Sequence, residues 1–146
     1  MRYVIIIALI LLGYLSGSVL YAELFTNIIC KKSLFEVSEN GNPGTANAFI
    51  YGNKVCGILA VIGDLLKGTI PVMIYVKLFG ITSPAIAIIM SAPVIGHGCS
   101  CFYHMRGGMC IATSFGVFIG LLPIWEPLAC LIVFYLTLLM IPGIHN

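Results

Sequence analysis

Charge is scarce along this chain. Only 8% of the 146 residues are Asp, Glu, Lys or Arg, whereas 60% are hydrophobic; a soluble domain ordinarily carries about 25% charged residues. So few charges cannot cover the surface of a soluble globule of this size. The formal net charge is +2, and the longest basic run is the pair Lys31-Lys32. The composition therefore excludes a nucleic-acid-binding surface and predicts an integral membrane protein in contact with the lipid bilayer.

Cys-x-x-Cys pairs are also absent, although the chain has six cysteines. Disulfide frameworks belong to small secreted domains, so we expect no such framework here. Five possible soft metal ligands fall within one short stretch: His97, Cys99, Cys101, His104 and Cys110. Structural zinc sites use paired ligands with gaps of two to four residues, and the spacing here is irregular. We therefore predict no bound metal and no cofactor, and keep a metal-binding membrane protein as the third alternative for function.

Five apolar runs predict the helices: residues 3–24, 55–79, 85–95, 111–125 and 128–141. The first is long enough to span a bilayer, and a retained helix is favoured over a signal peptide because Leu20 is too large for a cleavage motif. We expect the third run to extend toward His97 with a bend at Pro93. The fourth is short for a span, so it begins inside the preceding loop or is re-entrant. Residues 1–146 are predicted to form one all-α, polytopic membrane domain of about five transmembrane helices.

Two polar loops, residues 27–54 and 96–109, separate these runs. Five alternating helices would place both loops on the same side of the membrane. That side carries four basic residues, Lys31, Lys32, Lys54 and Arg106. Because short cytoplasmic loops carry the excess of Lys and Arg, both polar loops are predicted to be cytoplasmic.

The first loop contains Asn-Gly-Asn-Pro-Gly-Thr-Ala-Asn at 40–47. Glycines let successive backbone N–H groups turn toward an anion, and neutral side chains add donors. The predicted phosphate-binding residues are Gly41, Asn42, Gly44, Thr45 and Asn47. The alternative interpretation is an ordinary surface turn.

The second loop offers a similar combination. Arg106 precedes Gly107 and Gly108, so a guanidinium and backbone N–H groups can bind a phosphate together. His97 at the start of the loop is the candidate catalytic acid or base, although a lone histidine is more often structural.

Asp64 and Lys67 interrupt the second apolar run. Residues three apart share one face of a helix, so the two side chains are predicted to pair. Ionisable residues inside a membrane are costly and face a cavity or a partner. A functional pair and a neutralised pair that packs helices both remain open. Gly63 and Gly68 flank the pair and favour close approach of another segment.

These segments, in order, resemble the bacterial acyl-phosphate glycerol-3-phosphate acyltransferases of phospholipid synthesis. Residues 17–18 look like the family's Gly-Ser-Ile-Pro, and 41–47 look like its Ser-Gly-Asn-x-Gly-Ala-Thr-Asn loop. Residues 64–72 resemble Asp-x-x-Lys-Gly-x-x-Pro-Val. Residues 96–97 and 105–113 together resemble Gly-His followed by Phe-Lys-Gly-Gly-Lys-Gly-Val-Ala-Thr.

The resemblance implies transfer of an acyl chain from acyl phosphate to the 1-hydroxyl of glycerol 3-phosphate, giving lysophosphatidate and phosphate. It also implies a multi-pass protein of the bacterial plasma membrane whose substrates are acyl phosphate and glycerol 3-phosphate. The alternative is a non-catalytic membrane relative that binds acyl phosphate or a partner subunit; the sequence identifies no protein partner.

The chain departs from the family pattern at several positions. Asn40 replaces the loop serine, Ile50 an arginine and Met109 the second lysine of Lys-Gly-Gly-Lys, while Arg106 preserves the charge of the first. The family continues to a cytoplasmic motif, His-x-x-Asn-Ile followed by Gly-x-Glu, and His145-Asn146 cannot be equated with it. The resemblance is thus to a diverged, C-terminally short member, for which we predict weak or undetectable transfer but measurable binding of acyl phosphate.

Overall fold

The computed structural model describes residues 1–141, and every regular element in that part of the chain is helical. Within it lie α1 (Arg2–Ser18), α2 (Tyr21–Cys30), α3 (Leu34–Val37), α4 (Thr45–Asn47), α5 (Lys54–Phe79), α6 (Ala85–Gly98), α7 (Ile111–Ile119) and α8 (Glu126–Leu139). A π-helical turn, Ala48–Gly52, continues α4, and a 3-10 turn, Cys101–Tyr103, follows α6. Pro142 and Gly143, which the sequence predicts to end the last helix, lie outside the described residues.

The sequence predicts a single helix over residues 3–24, but the first apolar run does not form one straight helix. It bends by 40° between α1 and α2, where Val19 adopts an extended conformation. The carbonyls at the break are satisfied from elsewhere in the fold: the Ser100 hydroxyl donates to Ser18 O, and Lys67 Nζ donates to Val19 O. Long-range donors therefore replace the helical N–H groups that the bend removes.

By length and composition, two segments can cross a membrane, Lys54–Phe79 and Ala85–Tyr103. The bent pair α1–α2 gives a third if it acts as one span. The predicted extension of the third run to His97 is confirmed, and Pro93 lies within α6. The prediction of about five spanning helices is therefore supported for two or three.

The last two helices differ from the apolar runs that predicted them: α7 is shorter, and α8 has the predicted length but begins two residues earlier. Helix α7 has 9 residues and stops at Ile119, whereas the run reached residue 125; at 1.5 Å per residue it is about 14 Å long. Helix α8 has 14 residues, about 21 Å, and packs on α7. Neither helix alone has the length of a membrane span.

Helix α5 lies at the centre and contacts α1, α2, α6 and α7. Glycines allow the closest helix contacts. A Cβ at Gly17 would overlap the α6 backbone at Pro93, and a Cβ at Gly68 would overlap the α7 backbone at Thr113. The small residues Gly13, Gly17 and Ser18, which the sequence predicts to form a surface for close helix packing, therefore lie where α1 packs on α6. This packing brings both polar loops to α5.

Candidate active site

A cavity of about 320 Å³ lies between α5, α7, α8 and the two polar loops. One part of its wall is polar and is formed by Asn42, Thr45, Asp64 and His97. The remainder is largely apolar and includes Val61, Leu65, Ile111, Phe115 and Tyr135. Residues from both loops therefore share one cavity with an apolar surface, which suits an amphiphilic ligand.

The charged pair in α5 is buried beside this cavity. Lys67 Nζ lies 2.8 Å from Asp64 Oδ1, and each side chain is 1% exposed. The predicted pairing of residues three apart is confirmed. Asp64 reaches the cavity wall, whereas the ammonium of Lys67 lies behind that wall, where it also donates to Val19 O at 2.7 Å.

His97 connects this pair with the second loop. It lies at the end of α6, and its Nδ1 atom is 2.7 Å from Lys67 Nζ and 3.7 Å from Asp64 Oδ1. Its other ring nitrogen, Nε2, lies beside Gly108, where a Cβ would overlap it. A residue with a side chain at position 108 would therefore displace the imidazole from the cavity wall.

The first loop is held by its own asparagines. Asn47 Nδ2 donates to Asn40 Oδ1 at 3.0 Å and to Asn42 O at 2.8 Å, so this residue shapes the loop rather than lining the cavity. Gly41 has φ of +60°, a conformation that favours glycine, and its N–H donates to Ser38 O. The Thr45 hydroxyl donates to Asp64 Oδ2 at 3.1 Å, which attaches the loop to α5.

The predicted clamp in the second loop is arranged differently from the expectation. The exposed Arg106 side chain stacks on the Phe35 ring, with Cζ 4.4 Å from the ring centroid, and it is not part of the cavity wall. Gly108 N donates to His97 O at 3.1 Å, and Gly107 packs against the same carbonyl. Of the predicted phosphate-binding residues, the cavity wall contains Asn42, Gly44 and Thr45.

Several contributors were not predicted from the sequence. Met109 and Cys110 line the cavity, and Ser100 fixes the break after α1. Burial raises the pKa of Cys110, so its side chain is a thiol at neutral pH and donates to Val94 O. The only sequence feature that could have indicated a structural role for Ser100 was its short polar side chain in the segment between two predicted helices.

All six cysteines are free. Among residues 1–141, no cluster of three His, Cys, Asp or Glu side chains has the arrangement of a metal site. Cys99 and Cys101 are exposed, whereas His97 is buried against Lys67. His97 is therefore in a buried environment and Cys99 and Cys101 are in an exposed one, although the metal-binding hypothesis places them in one site.

Comparison with known proteins gives the family. Residues 7–144 match the family described as glycerol-3-phosphate acyltransferase, which is nearly the whole chain. The chain belongs to this family. The resemblance inferred from the loop motifs is thereby confirmed.

Named relatives show the extent of the match. A glycerol-3-phosphate acyltransferase of Lactococcus lactis subsp. cremoris (strain MG1363) is 38% identical over 119 residues, covering 82% of this chain and 55% of the relative. Another, of Streptococcus thermophilus (strain ATCC BAA-491 / LMD-9), is 37% identical over 133 residues, covering 91% and 61%. The chain thus spans little more than half the length of these relatives.

A solved structure agrees with the fold. The glycerol 3-phosphate form of PlsY (YgiH), an integral membrane glycerol 3-phosphate acyltransferase, superposes with a TM-score of 0.79 at 30% identity, covering 92% of this chain and 66% of that one. Its lysophosphatidic acid form gives a TM-score of 0.76. This acyltransferase-family chain therefore has the all-helical fold of an integral membrane enzyme.

Proposed function

We propose that the chain transfers an acyl group from acyl phosphate to a hydroxyl of glycerol 3-phosphate. The observation that carries this proposal is the cavity that joins polar groups of both loops to an apolar wall. An acyl phosphate has the same two parts, a phosphate and a hydrocarbon chain. Family membership supplies glycerol 3-phosphate as the acceptor.

The phosphate is proposed to bind at the first loop. Asn42, Gly44 and Thr45 line that part of the cavity, and glycine-containing loops can turn backbone N–H groups toward an anion while neutral side chains add donors. Gly41, Asn47, Gly107 and Gly108 support the loops, whereas Arg106 lies outside the cavity wall, on the Phe35 ring.

The acyl chain is proposed to lie along α5 and α7. Val61 and Leu65 form one side, while Phe115 and Tyr135 form the other. The two aromatic rings meet edge to face with centroids 5.9 Å apart, which connects α7 to α8. Burial of hydrocarbon contributes about 0.8 kcal/mol per methylene, so this surface favours long-chain donors.

The reaction is a group transfer without a redox step. The hydroxyl oxygen of glycerol 3-phosphate attacks the acyl carbonyl, a new C–O ester bond forms, and the bond from carbonyl carbon to phosphate oxygen breaks. The hydroxyl proton ends on the departing phosphate, and the products are lysophosphatidate and inorganic phosphate. The polar wall positions the reactants for this attack.

Among the described residues, the cavity wall includes no lysine or arginine. Met109 stands there, where the resemblance implies a lysine. A phosphate held without a cation loses charge-assisted hydrogen bonds, each roughly twice as strong as a neutral one. Transfer by this chain alone is therefore expected to be weak or undetectable, while binding of acyl phosphate is measurable.

The absence of lysine and arginine from the cavity wall, among the described residues, also supports a second candidate. This candidate is a non-catalytic relative that binds acyl phosphate or a partner subunit. Both candidates place residues 1–146 in the bacterial plasma membrane as a multi-pass domain with the polar loops in the cytoplasm. They differ in whether the bound acyl group is transferred.

The test is formation of lysophosphatidate from radiolabelled glycerol 3-phosphate and palmitoyl phosphate in membranes, with binding of palmitoyl phosphate measured in parallel. The Lactococcus lactis relative serves as the positive control. Binding with slow turnover supports the enzyme, and binding without turnover supports the second candidate. Loss of both would remove the ligand assignment, whereas turnover equal to the relative's would show that the expected weakness is wrong.

Arg106→Ala provides an internal comparison. It should weaken binding by less than about tenfold, since exposed charges contribute little and the guanidinium lies on Phe35. Ser91→Ala is the matched control, because this exposed hydroxyl bonds only within its own helix.

A further inference from the structure

Three polar atoms surround the Lys67 side-chain nitrogen. Its Nζ atom lies 2.7 Å from Val19 O, 2.8 Å from Asp64 Oδ1 and 2.7 Å from His97 Nδ1. An ammonium group carries three donors and no lone pair. If Lys67 is charged, His97 Nδ1 must therefore accept.

The charge belongs on Lys67 rather than on His97. The carboxylate oxygen of Asp64 is 2.8 Å from the lysine nitrogen but 3.7 Å from the imidazole nitrogen, so it stabilises the nearer cation more strongly. In free amino acids, lysine is more basic than imidazole by about four pH units.

A neutral imidazole whose Nδ1 accepts must carry its proton on Nε2. The Nε2 atom lies beside Gly108, and His97 lines the cavity. We infer that His97 presents a fixed Nε2–H donor to the cavity and that Lys67 is the residue that positions it. This inference deepens the proposed function and rests on it for the identity of the ligand.

The consequence is a change of chemical role for His97. An Nε2–H group can donate to a phosphate oxygen or to a carbonyl oxygen that becomes negative during acyl transfer. It cannot take the hydroxyl proton from glycerol 3-phosphate, because its only lone pair, on Nδ1, is used by Lys67. His97 is thus a donor to the acyl phosphate and not the general base.

The tautomer can be measured directly on the full chain in lipid nanodiscs. Nitrogen-15 NMR of histidine-labelled protein at pH 7 should show one histidine with Nδ1 unprotonated and Nε2 protonated, and His97→Gln should remove that signal. The chain has three histidines, so the assignment by deletion is practical. An imidazolium or an Nδ1–H tautomer at His97 would overturn the inference.

Binding of palmitoyl phosphate gives the second readout. His97→Ala should lower the affinity by roughly ten- to a hundredfold, the loss expected for one hydrogen bond to a charged group. His97→Gln should remain within about threefold of wild type, because the glutamine amide can place an N–H near the Nε2 position. His104→Gln is the control, since His104 is exposed and outside the cavity wall. Equal losses in the Ala and Gln variants would refute the donor role.

Lys67→Met tests the positioning role through the same NMR signal. Loss of the ammonium should leave His97 in a mixture of tautomers, and an unchanged spectrum would contradict the assignment to Lys67. Because this variant can fail to fold, the wild-type tautomer remains decisive. If wild-type protein neither binds nor transfers, the proposed function falls, yet the NMR result still decides the tautomer.

Discussion

Replacing Lys67 with methionine removes a charge from the most buried ion pair of the described fold. The substitution keeps a flexible side chain of similar length but leaves the Asp64 carboxylate, which is 1% exposed, without its cation. Val19 O and His97 Nδ1 lose a donor at the same time. Three helical segments, α1–α2, α5 and α6, meet at this one nitrogen.

The expected cost is large. Removing one partner of a buried pair destabilises a protein by about 3–5 kcal/mol, because the remaining charge is left uncompensated. The double variant Asp64→Asn/Lys67→Met removes both charges and keeps an acceptor for the Thr45 hydroxyl. Both variants leave Val19 O and His97 Nδ1 without the lysine donor, at roughly 1–3 kcal/mol for each unsatisfied buried group, but only the single variant also leaves an uncompensated buried charge. The double variant should therefore be more stable than Lys67→Met alone.

Unfolding by sodium dodecyl sulfate in mixed micelles measures the difference, with fluorescence of the single tryptophan, Trp125, as the probe. Lys54→Met is the matched control, since Lys54 is in the same helix but exposed; its stability should equal that of wild type. The reasoning is refuted if Lys67→Met matches the control, or if the double variant is the least stable of the set.

Three further predictions test the packing, the cavity and the topology. Gly116→Ala should destabilise the fold by about 1–3 kcal/mol, because its Cβ would overlap the Leu65 carbonyl. In the same unfolding assay, the control Ser91→Ala should be as stable as wild type. Wild-type stability of Gly116→Ala would contradict the close α5–α7 contact. Met109→Lys should strengthen palmitoyl phosphate binding about tenfold by adding a charge-assisted hydrogen bond at the cavity. Equilibrium binding measures the change, with Met109→Gln as the uncharged control. No gain in affinity would contradict the proposed position of the phosphate at this wall. Cysteines introduced near Lys32 and Tyr103 should resist labelling by an impermeant maleimide from outside intact cells, and labelling of both would exclude cytoplasmic loops.

The sequence pattern was sufficient to predict contacts between residues of the same helix. Asp64 and Lys67 are three residues apart, so helix geometry alone puts them on one face, and the structure pairs them at 2.8 Å. The extent of α5 also follows from its apolar run, which begins one residue after the observed helix start at Lys54. The small residues of α1 predicted close helix packing for the same reason, since spacing on one helix determines which side chains share a face.

Contacts between distant segments were decided only by the tertiary structure. Val19 belongs to an apolar run with no proline, and its carbonyl at the helix break accepts from Lys67, 48 residues later. His97 meets Lys67 across 30 residues, and nothing in the Gly-His motif states which ring nitrogen faces the lysine. Arg106 follows a pattern typical of phosphate binding, yet packing against Phe35 directs it away from the cavity wall. The sequence by itself therefore determined which hydrogen-bonding side chains each helix carries. The packing of the helices determined which acceptors those side chains reach, because a hydrogen bond depends on distances that only the assembled bundle sets.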